Sequence, residues 1–474
     1  MLSIQYANCL SDRVGEHGLD AASIAPGSAS ARACAEMTNS LDATRGKDWE
    51  RWRLLPFDPM RSAHTGAIRP IVERLRPGCE NLVVLGIGGS ALGNIALQAS
   101  LNSTVYNLLP AGERPGPRMW VVDNVDPANL GAVMGLVKKL DPTYQKTVFN
   151  VVSKSGETAE TAAQFMLVRQ TLIDALGRDK HAQRIVAITD PAKGTMRKIC
   201  DDAGYVTLPV PDGVGGRFSV LSPVGLFSAA MCGIDIDALL DGAAEMDERC
   251  RQPDLAKNPA ATLATLLMRL GAEKRKTSHV MMPYSNQLYL LADWYRQLWA
   301  ESLGKRVNKQ GKEVFAGYTP IKALGTTDQH SQVQLYREGP NDKAFILVEV
   351  QSFGAEDVAI PRGLGVDAVA YLEGSSFGKL LAAEKRATEF ALVESKRPNL
   401  TISFPTIDAR HVGQFIALWE IATSYSGLML DIDAYDQPAV ETGKVATFGL
   451  MGRKGYEEWK QKVEATLGPS RHTV

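Results

Sequence analysis

The stretch VFNVVSKSGETAETAAQF at residues 148–165 decides how the rest of the chain reads. An apolar, β-rich run breaks into Ser153, Lys154, Ser155, Gly156, Glu157 and Thr158, then passes into Ala-rich helical sequence. A strand therefore ends and a helix begins across six polar residues. Free backbone N–H groups at a helix start, together with the positive end of the dipole, favour an anion such as phosphate. The hydroxyls of Ser153, Ser155 and Thr158 add donors to that cradle. Plain capping fits the same residues, because Ser155 or Thr158 can cap the helix while Glu157 or Glu160 closes a capping box.

The same alternation of short apolar run and helical period extends outward from this stretch. Upstream lie LVVLGIG and MWVVDN, and downstream RIVAIT and YVTLPV; the pattern restarts at HVMMPY and continues through AFILVEV and LTISFP. Strands alternating with helices in this way predict parallel sheets covered on both faces. The expected organisation is helical packing over residues 1–60, a first α/β unit over 61–235, a helical bridge over 236–275, and a second α/β unit with C-terminal helices over 276–474. No short solenoid repeat or low-complexity segment interrupts it.

Composition narrows the function classes. With 45% hydrophobic and 22% charged residues and a net charge of −1, the 474-residue chain can bury a sizeable core and has no basic excess to attract nucleic acid or a membrane surface. Cys9, Cys34, Cys79, Cys200, Cys232 and Cys250 form no CxxC pair and have no histidine at metal-ligand spacing, so they read as reduced thiols and no metal site is expected. The first residues carry no basic segment leading into an apolar core, and no run of about 18 apolar residues occurs. A cytoplasmic protein is the expectation.

Two more loops resemble the first in position. GIGGSALG at residues 86–93 follows a strand and opens a helix; its glycines, Gly89 among them, allow close backbone approach, and Ser90 offers a hydroxyl. A dinucleotide-binding turn is the rival, with Asp123 as the ribose acid. The spacing differs from GxGxxG, however, and Asp123 lies well beyond the usual distance of about 20 residues. In DGVGGRFSVLSPVG, from residue 212, Gly216 frees the backbone beside the permanent cation of Arg217, while Ser222 and Pro223 read as N-cap and first helical residue. Such an arginine can clamp a carboxylate or an oxyanion, or can simply lie on a mobile surface turn.

Three chemical residues stand out further on. In NQLYLLADWYRQLWAESLGKR, Leu291, Trp294, Leu298 and Glu301 share one helix face, and Glu301 falls in the last turn before Gly304. Partial desolvation and the negative dipole end both favour proton uptake there, as a general base requires; a frayed end with Glu301 solvated beside Lys305 is the bland alternative. In GTTDQHSQVQLYREGP, His330 is read near a helix start marked by Thr326, Thr327 and Asp328. In DAYDQPAVETGKVATFG, Pro438 after Gln437 marks a helix start, and Lys444 shares a face with Val440, where partial burial would suit acid–base exchange.

The segments LGIGGSALG, SKSGET, DGVGGRFSVLSPVG, WAESLGK, GTTDQH and YDQPAVETGK stand in the order found in glucose-6-phosphate isomerases, and from about residue 80 to 450 the chain resembles that family. GGRFS and YDQPAVExxK are the most specific. The resemblance implies two sugar-isomerase subdomains, each a flavodoxin-like three-layer αβα sandwich with a parallel sheet, in a homodimer. It further implies that Ser153, Lys154, Ser155 and Thr158 hold the sugar phosphate, with Gly89, Ser90 and Gly216 nearby. Glu301 matches the base that moves a proton between C2 and C1, and Arg217 the residue that steadies the enediolate. His330 and Lys444 match the ring-opening residues, His330 reaching across from the other subunit, and Gln437 matches a substrate-contacting glutamine. The implied reaction is reversible isomerisation of glucose 6-phosphate and fructose 6-phosphate through a cis-enediolate, in glycolysis and gluconeogenesis, without metal or redox cofactor. SKSGET departs from the Thr-rich loop of many members and occurs in other sugar-isomerase domains, so a dual phosphoglucose and phosphomannose isomerase stays open. A non-catalytic phosphosugar sensor and an NAD-dependent dehydrogenase are the readings from other classes.

Overall fold

The computed structural model describes residues 1–469 together with 472 and 473. Its first sheet has five strands, ordered Arg118–Val122, Asn81–Leu85, Thr147–Val152, Ile185–Thr189 and Val206–Pro209, all parallel. The three central strands are buried at every residue, which explains their unbroken apolar character. Numbered along the chain, the order is 2-1-3-4-5, with its switch point between Asn81–Leu85 and Thr147–Val152. Crossovers leave to opposite faces there, so a crevice opens beyond the carboxyl ends of those two strands. The loops that follow them are GIGGS and SKSGET.

The second sheet runs Ser3–Gln5, Asn399–Phe404, Lys343–Val350, Ser278–Pro283 and Thr319–Lys322. Its four parallel strands repeat the same winding, and the amino-terminal strand closes one edge antiparallel to Asn399–Phe404. Residues 1–60 are thus more than helical packing ahead of the first sheet, since their start is built into the second. Thr319–Lys322 escapes the sequence pattern because it is a short edge strand containing Pro320, which could not serve in a sheet interior. Lys305–Val307 and Glu313–Ala316 form a separate antiparallel pair.

Helices Ile236–Cys250 and Pro259–Lys274 occupy the bridge, and both pack against the long helix Ala409–Met429. One apolar core includes Leu82 and Val84 of the first sheet and Met281 and Ile346 of the second, joined through Leu298, Trp299 and Trp419. Helix Tyr289–Leu303, which follows the first parallel strand of the second sheet, packs on Leu92–Leu101 of the first unit. That contact carries Glu301 toward the first sheet's loops. All six cysteines are buried and unpaired. Among the described residues, no helix is long and apolar enough to cross a membrane, and no group of three or more His, Cys, Asp or Glu could hold a metal ion.

Candidate active site

The glycine loops of the first unit touch each other. A Cβ on Gly89 would collide with the Gly216 carbonyl, so the two backbones meet at a distance only glycine allows. This contact sets Arg217 beneath the first loop, where it is 3% exposed. Its Nε donates to Ser302 Oγ at 2.6 Å, and its Nη2 donates to the carbonyls of Ala434 at 2.6 Å and Asp436 at 3.1 Å. The Nη1 donates to Gln437 Oε1 at 2.9 Å and lies 3.5 Å from Glu301 Oε1. The guanidinium fork is thereby fixed on three sides, far from the mobile surface turn that the sequence also allowed. Burial pushes its pKa below the ordinary arginine value, against the pull of nearby Glu301.

Glu301 arrives on the stripe its spacing predicts: Leu291, Trp294 and Leu298 are buried, while its own side chain keeps 26% exposure. Gln297, one turn earlier, donates to Glu301 Oε2 at 3.0 Å and also lies against Gly88. The helix end does not fray. Lys305, whose side chain is 6% exposed, donates its ammonium to the carbonyls of Glu301 at 3.0 Å, Ser302 at 2.7 Å and Asp436 at 2.9 Å. A buried cation therefore caps the last turn, in place of the frayed end with a solvated Glu301 that the sequence also allows. Burial first, and the positive Arg217 second, lower its pKa.

The SKSGET loop lies at the switch point. Ser153, buried, accepts from the Gly156 N–H at 3.1 Å, and Ser155 accepts from the Glu157 N–H at 3.1 Å. Gly156, at φ +77°, packs so tightly on the Met196 backbone that a side chain would clash. The Lys154 carbonyl accepts from the Asp190 N–H at 3.2 Å and from Thr189 Oγ1 at 3.1 Å, fixing the loop to the next strand. Thr158 precedes helix Ala159–Leu176 but makes no side-chain cap hydrogen bond. Glu157 binds Thr195 Oγ1 at 3.1 Å and Arg453 Nη2 at 2.8 Å. No capping box forms, and the start of that helix stays free of side-chain acceptors, which suits an incoming anion. Ser222 does cap its helix, accepting from the Val224 N–H, with Pro223 first in the helix.

Two residues fall outside this cluster. His330 is exposed and caps the C-terminal end of the short 3-10 helix Thr327–Gln329, which starts at the Thr326–Asp328 signal, three residues ahead of helix Val333–Glu338. Asp328 holds that turn, accepting from Leu324 N–H and Ser331 Oγ. Among the described residues the His330 ring makes no hydrogen bond to Glu301, Arg217 or the SKSGET loop. Lys444 lies on helix Glu441–Leu450 and pairs with Glu441 at 2.6 Å, its side chain 52% exposed. Val440 is exposed as well, so the shared face is not buried.

A cavity of about 850 Å³ opens elsewhere, beyond the carboxyl ends of the second sheet, lined by residues such as Ser285, Asn286, Thr326, Thr327, Ser352 and Glu356. Its lining carries no lysine or arginine to meet a phosphate. Gln297, Ser302 and Lys305 were not singled out from sequence. The signal for Gln297 was present, since it precedes Glu301 by one turn; Ser302 and Lys305 become recognisable only once Arg217 and the Asp436 carbonyl arrive from distant segments.

The family model described as phosphoglucose isomerase matches residues 73–454. The chain is 45% identical over 409 residues to a glucose-6-phosphate isomerase of Carboxydothermus hydrogenoformans, covering 86% of each chain. It is 40% identical over 418 residues to one of Thermus thermophilus, covering 87% of this chain and 93% of that one. Among solved structures, a hypothetical protein from Thermus thermophilus superposes with a TM-score of 0.81 at 35% identity, covering 95% of this chain and 100% of that one. A glucose-6-phosphate isomerase from Chlamydia trachomatis shares the fold, with a TM-score of 0.75 at 22% identity, over 91% of this chain and 87% of that one.

Proposed function

The chain belongs to the phosphoglucose isomerase family, and from that premise we propose that it interconverts glucose 6-phosphate and fructose 6-phosphate with Glu301 as the base. The single observation that carries the assignment of roles is the Arg217–Glu301 pair at 3.5 Å, a carboxylate beside a buried, immobilised cation. Glu301 removes the proton from C2 of the open-chain aldose. The C–H electron pair forms the C1=C2 bond, and the former carbonyl electrons come to rest on O1. Negative charge thus leaves the carboxylate and appears on the enediolate, both within the field of Arg217, so the cation needs no reorganisation during the step. Return of the proton from Glu301 to C1, as C2 becomes the carbonyl carbon and the O2 proton passes to O1, gives the ketose and restores the carboxylate.

Ser153, Lys154, Ser155 and Thr158 hold the phosphate in this reading, with Gly89, Ser90 and Gly216 lining the sugar and Gln437 contacting it. The uncapped start of helix Ala159–Leu176 supports that placement. Ring opening falls to His330 and Lys444. The exposure of His330 supports its reaching the site of a second subunit, in a homodimer. Residues 61–235 and 276–474 act as the two sugar-isomerase units around the 236–275 bridge, which the repeated strand order supports. Six buried unpaired thiols support a reducing, cytoplasmic location, and the family membership supports a place in glycolysis and gluconeogenesis.

The test is an NMR assay of purified protein with fructose 6-phosphate and chelator. Appearance of glucose 6-phosphate is the expected outcome. Absence of any conversion would overturn the reading, and mannose 6-phosphate at a comparable rate would widen it to a dual isomerase.

A further inference from the structure

The family match begins at residue 73, yet the structure brings a side chain from well before it to the phosphate loop. Trp49 lies in the turn Asp48–Leu54, and the ammonium of Lys154 stands 5.2 Å from its ring centroid. Trp49 is 48% exposed, unlike Trp52, which is buried and stacks on Phe218 at 5.0 Å. The turn is held against the Arg217 loop on its other side. The Asp48 carbonyl packs on Gly213, where a Cβ would collide, and Arg51 pairs with Asp212 at 3.3 Å. One short segment therefore touches two of the three loops that form the candidate site.

We propose that Trp49 is a positioning residue for substrate phosphate, acting through Lys154; this rests on the reading that the SKSGET loop holds that phosphate. The Lys154 backbone is already fixed by Asp190 and Thr189. Its side chain has four rotatable bonds, and ordering them on binding costs affinity. The electron-rich ring face of Trp49 attracts the ammonium and restricts those rotamers before substrate arrives. The ring uses the charge of Lys154 but accepts none of its three N–H donors in a full hydrogen bond, so they remain available to phosphate oxygens. Pre-ordering of this kind lowers KM and leaves the proton-transfer step untouched.

The experiment compares Trp49→Leu, Trp49→Phe and Lys154→Met by KM and kcat for fructose 6-phosphate and by the inhibition constant of inorganic phosphate. Trp49→Leu should raise KM and weaken phosphate inhibition about two- to fivefold, the scale of an exposed cation–π contact, with kcat unchanged; Trp49→Phe should recover part of the loss. Lys154→Met should produce a larger shift of the same kind, and in its background Trp49→Leu should add nothing. A fall in KM in Trp49→Leu would mean that Trp49 draws Lys154 away from phosphate, and it would overturn the proposal, as would no change or an equal loss of kcat. If Lys154→Met shifts phosphate affinity and Trp49→Leu does not, only the role of Trp49 fails. If Lys154→Met itself has no effect, the phosphate role of Lys154 fails and takes this inference with it.

Discussion

Glu301 and Arg217 show how one side chain gives another its chemistry. A carboxylate on a half-buried helix end is unremarkable alone; it becomes a candidate base because a cation with nowhere to move lies 3.5 Å away. Four of the five partners of the Arg217 guanidinium are Ser302, Gln437 and two carbonyls, so it can respond to charge on substrate without leaving its seat. Glu301→Gln keeps the size and the contact with Gln297 but cannot accept the proton. It should lower kcat by roughly a hundredfold to ten-thousandfold with KM little changed. A coupled assay of both constants checks this, and a near wild-type kcat would remove Glu301 as base.

At the scale of elements, helix Tyr289–Leu303 carries the candidate base Glu301, and Lys305 holds its end. Lys305→Met leaves the carbonyls of Glu301, Ser302 and Asp436 without that donor. The expected loss is about 2 kcal/mol in urea unfolding, together with a lower kcat as the last turn loosens; unchanged stability would show that water replaces the cap. The strand beneath this helix carries a pH-sensitive feature. His279, on Ser278–Pro283, is wholly buried between Trp299 and Tyr318 with neither ring nitrogen hydrogen-bonded among the described residues. Burial lowers its pKa from 6.5 to about 3. Below pH 6.5 the unfolded chain takes up a proton that the folded chain refuses, so this stability is present above that pH and is lost as pH falls toward 3. Between pH 8 and pH 5 the wild-type unfolding free energy should fall by ~2 kcal/mol more than that of His279→Phe. Parallel pH profiles of the two proteins would show that His279 does not couple stability to pH.

For the whole molecule, the question is where His330 acts. Within one chain it is exposed and apart from the Arg217–Glu301 cluster. In a homodimer whose sites each take His330 from the partner, Glu301→Gln and His330→Ala are both inactive alone. A mixed dimer, however, has one site with both residues intact. Random reassociation of equal amounts should restore about a quarter of wild-type activity, because half the dimers are mixed and each has one working site. If His330 serves its own subunit, every mixed site lacks one residue and activity stays at the level of the separate variants.

The strand–loop–helix rhythm and the stripe bearing Glu301 are legible in the sequence alone, because those features are set by local periodicity and by residues adjacent in the chain. Burial of Leu291, Trp294 and Leu298 follows directly from their spacing. That Arg217 is fixed and not mobile follows from long-range packing, since its partners come from residues 302, 434, 436 and 437. The tertiary structure also decided that Lys305 caps a helix, that Pro320 lies in an edge strand, and that Trp49 reaches Lys154. The partners of Arg217, the Asp436 carbonyl that completes the Lys305 cap and the Trp49–Lys154 contact join groups far apart in the chain, and a single sequence carries no local signal for such a meeting.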